Sequence, residues 1–115
     1  MRTEKINISE LYWHDGVITK LVFNPNYESQ GEIALYVDLF SDPENTSDRD
    51  ALQITCSDVV RYIATCDLFE LNENKGAGNI LDGWVTGKIL RISLFGGYIE
   101  IESNTYEVER PLIYS

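Results

Sequence analysis

The segment Trp13-His14-Asp15-Gly16 is where this sequence comes nearest to a catalytic or metal-binding motif. A histidine beside an aspartate is able in principle to move a proton or to hold a metal ion. Adjacent residues in an extended segment point to opposite sides, however, so His14 and Asp15 do not form a pair by adjacency alone. His14 is also the only histidine of the chain. We therefore interpret Asp15-Gly16 as a turn into a strand and place Trp13 in the core.

The two cysteines do not indicate a catalytic or metal-binding site either. Cys56 and Cys66 do not have the spacing of a zinc site. Cys56 falls on the predicted core face of its strand, which predicts a buried and inert thiol. The chain contains no Gly-x-Ser-x-Gly, no phosphate-binding glycine loop and no dinucleotide fingerprint. These observations favour a protein without catalytic residues, cofactor or metal, and a metal-dependent hydrolase using His14 and Asp15 is the less favoured alternative.

An acidic segment, residues 41–50, is rich in Asp, Glu, Asn and Ser. Its alternating oxygen atoms are of the kind that calcium binds. It lacks the glycine at the sixth position and the closing glutamate of a calcium-binding loop. We interpret this segment as a mobile acidic loop rather than a metal site.

The overall charge restricts the class of partner. The 115 residues carry 19 acidic and 9 basic side chains, for a net charge of −10. Such a surface repels nucleic acid and anionic membranes, and it attracts a basic protein partner. The length fits a single domain spanning residues 1–115. The N-terminus has no apolar signal segment and the cysteines form no disulfide framework, so we expect a cytoplasmic protein.

Alternation of apolar and polar residues with a period of two dominates the chain and predicts strands. In residues 32–40, alternate side chains are expected to face the core, namely Ile33, Leu35, Val37 and Leu39. Residues 58–66 fit either a strand or a helix. Short helices are expected after Ser9 and after Asp67. We predict a mainly β fold, an antiparallel β-sandwich or partly open barrel of about seven to eight strands with one or two short helices. The strands are predicted at residues 16–23, 32–40, 51–57, 79–85, 88–95, 98–102 and 105–110.

Two tight turns define a register near the C-terminus. A hairpin loop at Gly96-Gly97, where both residues would need positive φ, pairs Leu94 with Ile99 and Ile92 with Ile101. A second reversal at Ser103-Asn104 would place Glu100 opposite Glu107 on the outer face. The expected result is a patch of glutamates that faces solvent.

This patch is interpreted either as a solvated outer face that discourages aggregation at the sheet edge or as a docking surface, and the docking surface is the predicted contact surface. Its complementary charge would speed association with a basic partner and add specificity. The sequence-predicted partner-binding residues are Glu100, Glu102, Glu107, Glu109, Asp42, Asp48 and Asp50. The alternative is a small ligand-binding or oligomeric scaffold domain in which Trp84, Tyr36 or Tyr98 line a pocket. The sequence is also compatible with a homodimer.

The order of three short motifs along the chain resembles that of a group of known domains. His14-Asp15-Gly16 leads into an apolar strand, Gly78-Asn79-Ile80 comes later, and the run from Leu94 to Ile101 contains Gly96-Gly97-Tyr98-Ile99. This pattern is similar to small bacterial β-rich domains with an N-terminal "HD" turn and a C-terminal "GG-x-I-x-I" hairpin. Several such families are uncharacterised or are regarded as immunity proteins of bacterial toxin systems. The resemblance implies a non-enzymatic, cytoplasmic protein that binds a toxin or another partner.

Overall fold

A single antiparallel sheet of seven strands makes up the computed structural model, which describes residues 3–25, 31–42, 45–66 and 79–111. The order along the sheet is β2-β3-β4-β7-β6-β5, and β1 pairs with β7. The predicted mainly β, antiparallel class is confirmed, and the sheet is not closed into a barrel. The strands are β1 (Thr3–Ile6), β2 (Val17–Asn24), β3 (Gly31–Asp42), β4 (Asn45–Cys66), β5 (Ile80–Thr86), β6 (Ile89–Leu94) and β7 (Gly97–Pro111).

Helix is nearly absent from the part of the chain that the structure describes. The helix expected after Ser9 is wrong, because a 3-10 turn spans Ile8–Glu10 instead. Asn7 caps this turn with its side-chain oxygen, which accepts a hydrogen bond from the Ser9 backbone N–H at 3.0 Å. The helix expected after Asp67 lies outside the described residues. Within those residues, no helix has the length and apolar character needed to cross a lipid bilayer.

β4 is longer than the sequence predicts at both ends. The acidic segment 41–50 is largely strand, since β3 continues to Asp42 and β4 begins at Asn45, with these two residues paired. Residues 58–66, which fitted either a strand or a helix, continue β4 as strand. Asp58 has a positive φ of 54°, and the register against β7 shifts between Val59 and Arg61. β7 pairs with β4 on both sides of this irregularity, and its hydrogen bonds hold β4 extended through it.

The core forms on one face of the sheet. The four β3 side chains predicted to face inward are all buried, with at most 2% of their surface exposed. In β2 a bulge near Thr19 changes the alternation, so Ile18 and Leu21 both pack against the core. The odd residues from Val17 to Phe23 therefore do not share one face, and Phe23 is 53% exposed.

The reversal predicted at Ser103-Asn104 does not occur. β7 runs without interruption through these residues and pairs with β4 from Gly97 to Glu109. Ser103 is fully buried, and its hydroxyl lies 2.5 Å from the Ser57 carbonyl oxygen. The neighbouring strand β4 therefore supplies hydrogen-bond partners to this part of β7. A turn at the same place would have had to find other partners. Glu100 and Glu107 are seven residues apart on one extended strand, which is about 23 Å, instead of facing each other.

The hairpin between β6 and β7 turns one residue earlier than predicted. Its loop is Phe95-Gly96, and Ile92 pairs with Ile99. Among the described glycines only Gly87 has positive φ, so the turn expected at Gly96-Gly97 is wrong. The Phe95 N–H donates to the Asn79 carbonyl at 3.1 Å, which attaches the turn to the start of β5. Because the pairs shift by two residues, each side chain keeps its predicted face.

The turn at residues 13–16 docks on β5. Trp13 is 4% exposed, which confirms its placement in the core. Asp15 takes a φ of 63°, and its N–H donates to the Ile80 carbonyl at 3.0 Å. The Trp13 ring packs against Gly83, where an added Cβ would lie only 2.6 Å from the ring carbon Cγ. The lack of a side chain at Gly83 is therefore what allows the indole to lie on β5.

The variant Gly83→Ala tests this packing. We expect its free energy of unfolding to fall by about 1–3 kcal/mol, because the new methyl group would force the buried indole to move. Urea unfolding monitored by tryptophan fluorescence would measure the change. Thr86→Ala, an exposed position on the same strand, is the matched control and should change stability by less. Equal stability of the Gly83 variant and the parent would contradict the proposed contact.

Candidate interaction surface

The outer face of β4, β7, β6 and β5 carries three rows of side chains that cross the strands. Residues opposite each other in an antiparallel ladder lie on the same face of the sheet. The buried residues Leu90, Ile92, Ile99 and Ile101 occupy the other face, so the residues that alternate with them point outward. The rows are Ile63, Glu100, Arg91 and Trp84; Arg61, Glu102, Ile89 and Thr86; and Thr65, Tyr98, Ser93 and Asp82. We name this surface the Trp84 face.

Glu100 is the centre of the Trp84 face. Its Oε1 accepts hydrogen bonds from Tyr98 Oη at 2.8 Å and from Arg91 Nε at 3.2 Å. Its Oε2 accepts one from Arg61 Nη2 at 3.0 Å. The Glu100 side chain is only 13% exposed, whereas that of Arg61 is 52% exposed. Three donors from three strands therefore hold one carboxylate in a fixed position at the surface.

The charges and hydrogen bonds of this network shift the acidity of its members. The hydrogen bond from Tyr98 is the main cause that lowers the pKa of Glu100, and Arg91 and Arg61 lower it further against the opposing effect of desolvation. Desolvation is the main cause that raises the pKa of Tyr98, and its hydrogen bond to Glu100 raises it further. Both shifts favour an ionised Glu100 beside a neutral Tyr98 at neutral pH.

Apolar side chains lie at both ends of the central row. Trp84 and Ile63 are each 41% exposed, a large fraction for residues in the interior of strands. The strands are spaced by about 4.8 Å, so the four-strand row is about 14 Å wide. Tryptophan, tyrosine and arginine are the residue types enriched in the energetically important centres of protein interfaces. The central row and its neighbours thus combine exposed apolar side chains with residue types that are enriched at protein interfaces.

The predicted acidic patch is not assembled. Glu100 is neutralised by two arginines, and Glu102 lies 3.6 Å from Arg61. Glu107 and Glu109 lie farther along β7, opposite Thr55 and Gln53 of β4. Their clustering with Glu100 is the part of the prediction that is wrong, because it required the reversal at residues 103–104.

The acidic residues before and within β4 also differ from the prediction. Asp50 is bound by Arg110, with 2.8 Å between its Oδ2 and Arg110 Nη2. The side chains of Asp42 and Asp48 lie outside the described part of the structure. A contact role for any of these seven acidic residues stays a prediction.

Sequence reasoning missed Arg61, Ile63 and Arg91 as parts of one surface. The hairpin register predicted from the sequence places Arg91 opposite Glu102, whereas Arg91 pairs with Glu100. Residues 58–66 fit either a strand or a helix, so the sequence assigns no face to Arg61 and Ile63. The signal that would have found Ile63 and Arg61 is the β-branched and aromatic content of that segment, since treating it as strand places alternate residues outward. Trp84, which the alternative ligand-binding interpretation places in a pocket, is 41% exposed on the outer face.

The side chains of His14 and Asp15 lie beside β5 and close to each other. His14 Nδ1 lies 2.8 Å from the Leu81 carbonyl oxygen and donates to it. Nε2 lies 3.4 Å from Asp15 Oδ2, and both side chains are more than half exposed. Among the described residues, no three His, Cys, Asp or Glu side chains are close enough together to hold a metal ion. The turn therefore attaches β5 to the N-terminal segment.

Cys56 is confirmed as a buried thiol. It is fully buried, and burial raises the pKa of its thiol to about 12, with a further contribution from Glu32. A thiol with this pKa is not a nucleophile at neutral pH. The side chain of Cys66 lies outside the described residues.

Comparisons with known proteins assign this chain to no family. No protein-family model matches it, and neither a curated protein nor a solved structure shows significant similarity. The resemblance to immunity-type domains therefore stays a prediction from short motifs.

The variant Tyr98→Phe tests the network around Glu100. The lowered pKa of Glu100 means that its ionised form stabilises the fold above its unfolded-state pKa, and this contribution is lost as the pH falls through the folded-state pKa. Removing the Tyr98 hydroxyl should raise the pKa of Glu100. We expect the stability difference between the parent and the variant to be larger near neutral pH than at about pH 2.

Carbon-detected NMR of the glutamate carboxyl groups would follow the titration, and urea unfolding would give the stability. Tyr36→Phe is the control, because the Tyr36 ring lies 5.6 Å from Lys20 Nζ and belongs to a different part of the sheet. An unchanged Glu100 titration in Tyr98→Phe would show that the hydrogen bond does not set its pKa.

Proposed function

We propose that this chain is a non-catalytic protein-binding domain and that the Trp84 face is its contact surface. The observation that carries the proposal is the row in which exposed Trp84 and Ile63 lie on either side of the Arg91–Glu100 pair. A face whose polar groups are already held by one another loses little side-chain entropy on binding. Its apolar ends supply area that a partner removes from water.

The partner has an excess of basic residues. The chain carries a net charge of −10, and a negative field of this kind accelerates encounter with a positively charged protein. The Trp84 face itself is nearly balanced, since Arg61 and Arg91 offset Glu100 and Glu102. Long-range attraction and short-range contact are therefore assigned to different parts of the surface. Glu107 and Glu109 contribute to the field.

Within this proposal, an immunity-type role is the finer hypothesis. A continuous sheet face is suited to cover the opening of an active-site cleft, and toxins that act on nucleic acid are often basic because nucleic acid is acidic. The domain would then neutralise a basic bacterial toxin by occlusion. The motif resemblance supports this hypothesis, and the acidic composition supports it independently.

The variant Trp84→Ala tests the contact surface, with Phe23→Ala as the matched control. Both aromatic side chains are exposed, 41% for Trp84 and 53% for Phe23, but Phe23 lies on β2, at the other end of the sheet. Tagged parent and variants would be used for affinity capture from native lysate, with quantification of each captured protein. The dissociation constant for a captured protein would then be measured by calorimetry.

We expect a basic protein that the parent and Phe23→Ala retain and Trp84→Ala loses. Truncation of a central interface tryptophan costs about 2–4 kcal/mol, which is a factor of about 30 to 1,000 in the dissociation constant. The association rate should also fall as salt is added. Equal binding by the two variants would reject the Trp84 face as the contact surface. A partner with an acidic surface would contradict the proposed basic charge of the partner.

A further inference from the structure

β5 is an end strand of the sheet, so one row of its backbone groups points away from the neighbouring strand. Among the described residues, β6 is the strand that pairs with β5 along its length. A strand edge of this kind is able to pair with a strand of another molecule. Leu81 and Trp84 are each 41% exposed, so such pairing would also remove apolar surface from water. The state of the outward-pointing backbone groups decides whether β5 can pair in this way.

The hairpin between β5 and β6 identifies the outward-pointing groups. Its loop is the two-residue turn Gly87-Lys88, in which the glycine has a φ of 61°, and Thr86 is the last β5 residue before the turn. In a two-residue hairpin the residues that flank the turn form a hydrogen-bonded pair, and bonded and non-bonded pairs alternate from there. Trp84 therefore bonds to β6. Gly83 and Val85 direct their N–H and C=O groups away from it.

Groups of this chain already occupy the beginning of the outer edge of β5. The Gly83 N–H donates to Oδ1 of the preceding residue, Asp82, at 2.8 Å. His14 Nδ1 donates to the Leu81 carbonyl oxygen at 2.8 Å. The Ile80 N–H donates at 2.7 Å to a carbonyl of the turn that precedes β2. Two side chains and one turn thus take backbone positions that an added strand would otherwise use.

We propose that His14 and Asp82 block the outer edge of β5 against pairing with β5 of a second copy of this chain. An antiparallel pair centred on Trp84 would place Gly83 of one copy beside Val85 of the other, and both residues direct their backbone groups outward. The two Trp84 side chains would then lie opposite each other, which is a favourable cross-strand arrangement. The proposal does not rest on the proposed function, because it concerns backbone groups at the edge of the strand.

The two side chains act at different points of this pairing. Asp82 holds the Gly83 N–H, which would otherwise donate to the Val85 carbonyl of the second copy. Leu81 would lie opposite residue 87 of the second copy, and the His14 ring stands at the Leu81 carbonyl. A new strand gains little unless its backbone groups find partners. Holding these two groups therefore removes most of the gain from edge pairing.

Two double variants test the proposal by sedimentation equilibrium, His14→Ala/Asp82→Ala and the control His14→Ala/Asp82→Asn. Asparagine keeps an oxygen that accepts from the Gly83 N–H, and both changes remove the same charge, so electrostatic repulsion between copies is matched. We expect the double-alanine variant to self-associate with a constant about tenfold above that of the control, because each copy gains a hydrogen bond on pairing. Asp82→Ala alone changes an exposed side chain and gives the same comparison with Asp82→Asn if the double variant does not fold.

Hydrogen exchange at the Val85 amide locates the contact. In the parent this N–H points away from β6 and should exchange rapidly. In the double-alanine variant its protection should rise with protein concentration, because the second copy supplies a partner. Equal self-association of the alanine and asparagine variants, or association without protection at Val85, would overturn the proposal. Protection of the Val85 amide in the parent would also overturn it, since the edge would then be covered without removal of His14 and Asp82.

Discussion

The hydrogen-bond ladder along β7 is the interaction on which the rest of this structure depends. β4 pairs with β7 over most of its length, β6 pairs with its first half, and β1 pairs with its last residues. A reversal at Ser103-Asn104 would have broken the first of these ladders. Because the strand continues, Glu100 lies between Arg61 of β4 and Arg91 of β6. The Trp84 face is thus a consequence of backbone pairing.

The placement of the arginines divides the charge of the molecule into two parts. In the described residues, Arg61, Arg91 and Arg110 bind Glu100, Glu102 and Asp50. The carboxylates in these pairs hold strands together. Because arginines offset their charge, they add little to the electrostatic field around the protein. The remaining excess of acidic side chains gives the chain its negative field. The nearly balanced Trp84 face and the remaining acidic side chains occupy different regions of one small sheet.

The alternation of apolar residues predicted the strands and their faces well, since burial of one face is what the period of two encodes. Ile33 to Leu39 and the pair Ile92–Ile99 face the core for this reason. The turns were predicted less well, because a local Ser-Asn or Gly-Gly signal does not reveal which strand lies alongside. The Trp84 face needed residues from four strands, whose order in the sheet is not contained in any local pattern. The buried thiol of Cys56 required only its own strand and was predicted correctly.

Nuclear Overhauser contacts between α-protons test the continuity of β7 most directly. The Ser103 N–H donates to the Lys88 carbonyl in the direction of β6, so Tyr62–Ile101 and Ala64–Ile99 are the non-hydrogen-bonded pairs between β4 and β7. Their α-carbons are about 4.5 Å apart, and strong contacts between their α-protons are expected. Contacts between Glu100 and Glu107, with none between Tyr62 and Ile101, would contradict the continuous strand and the surface that is built on it.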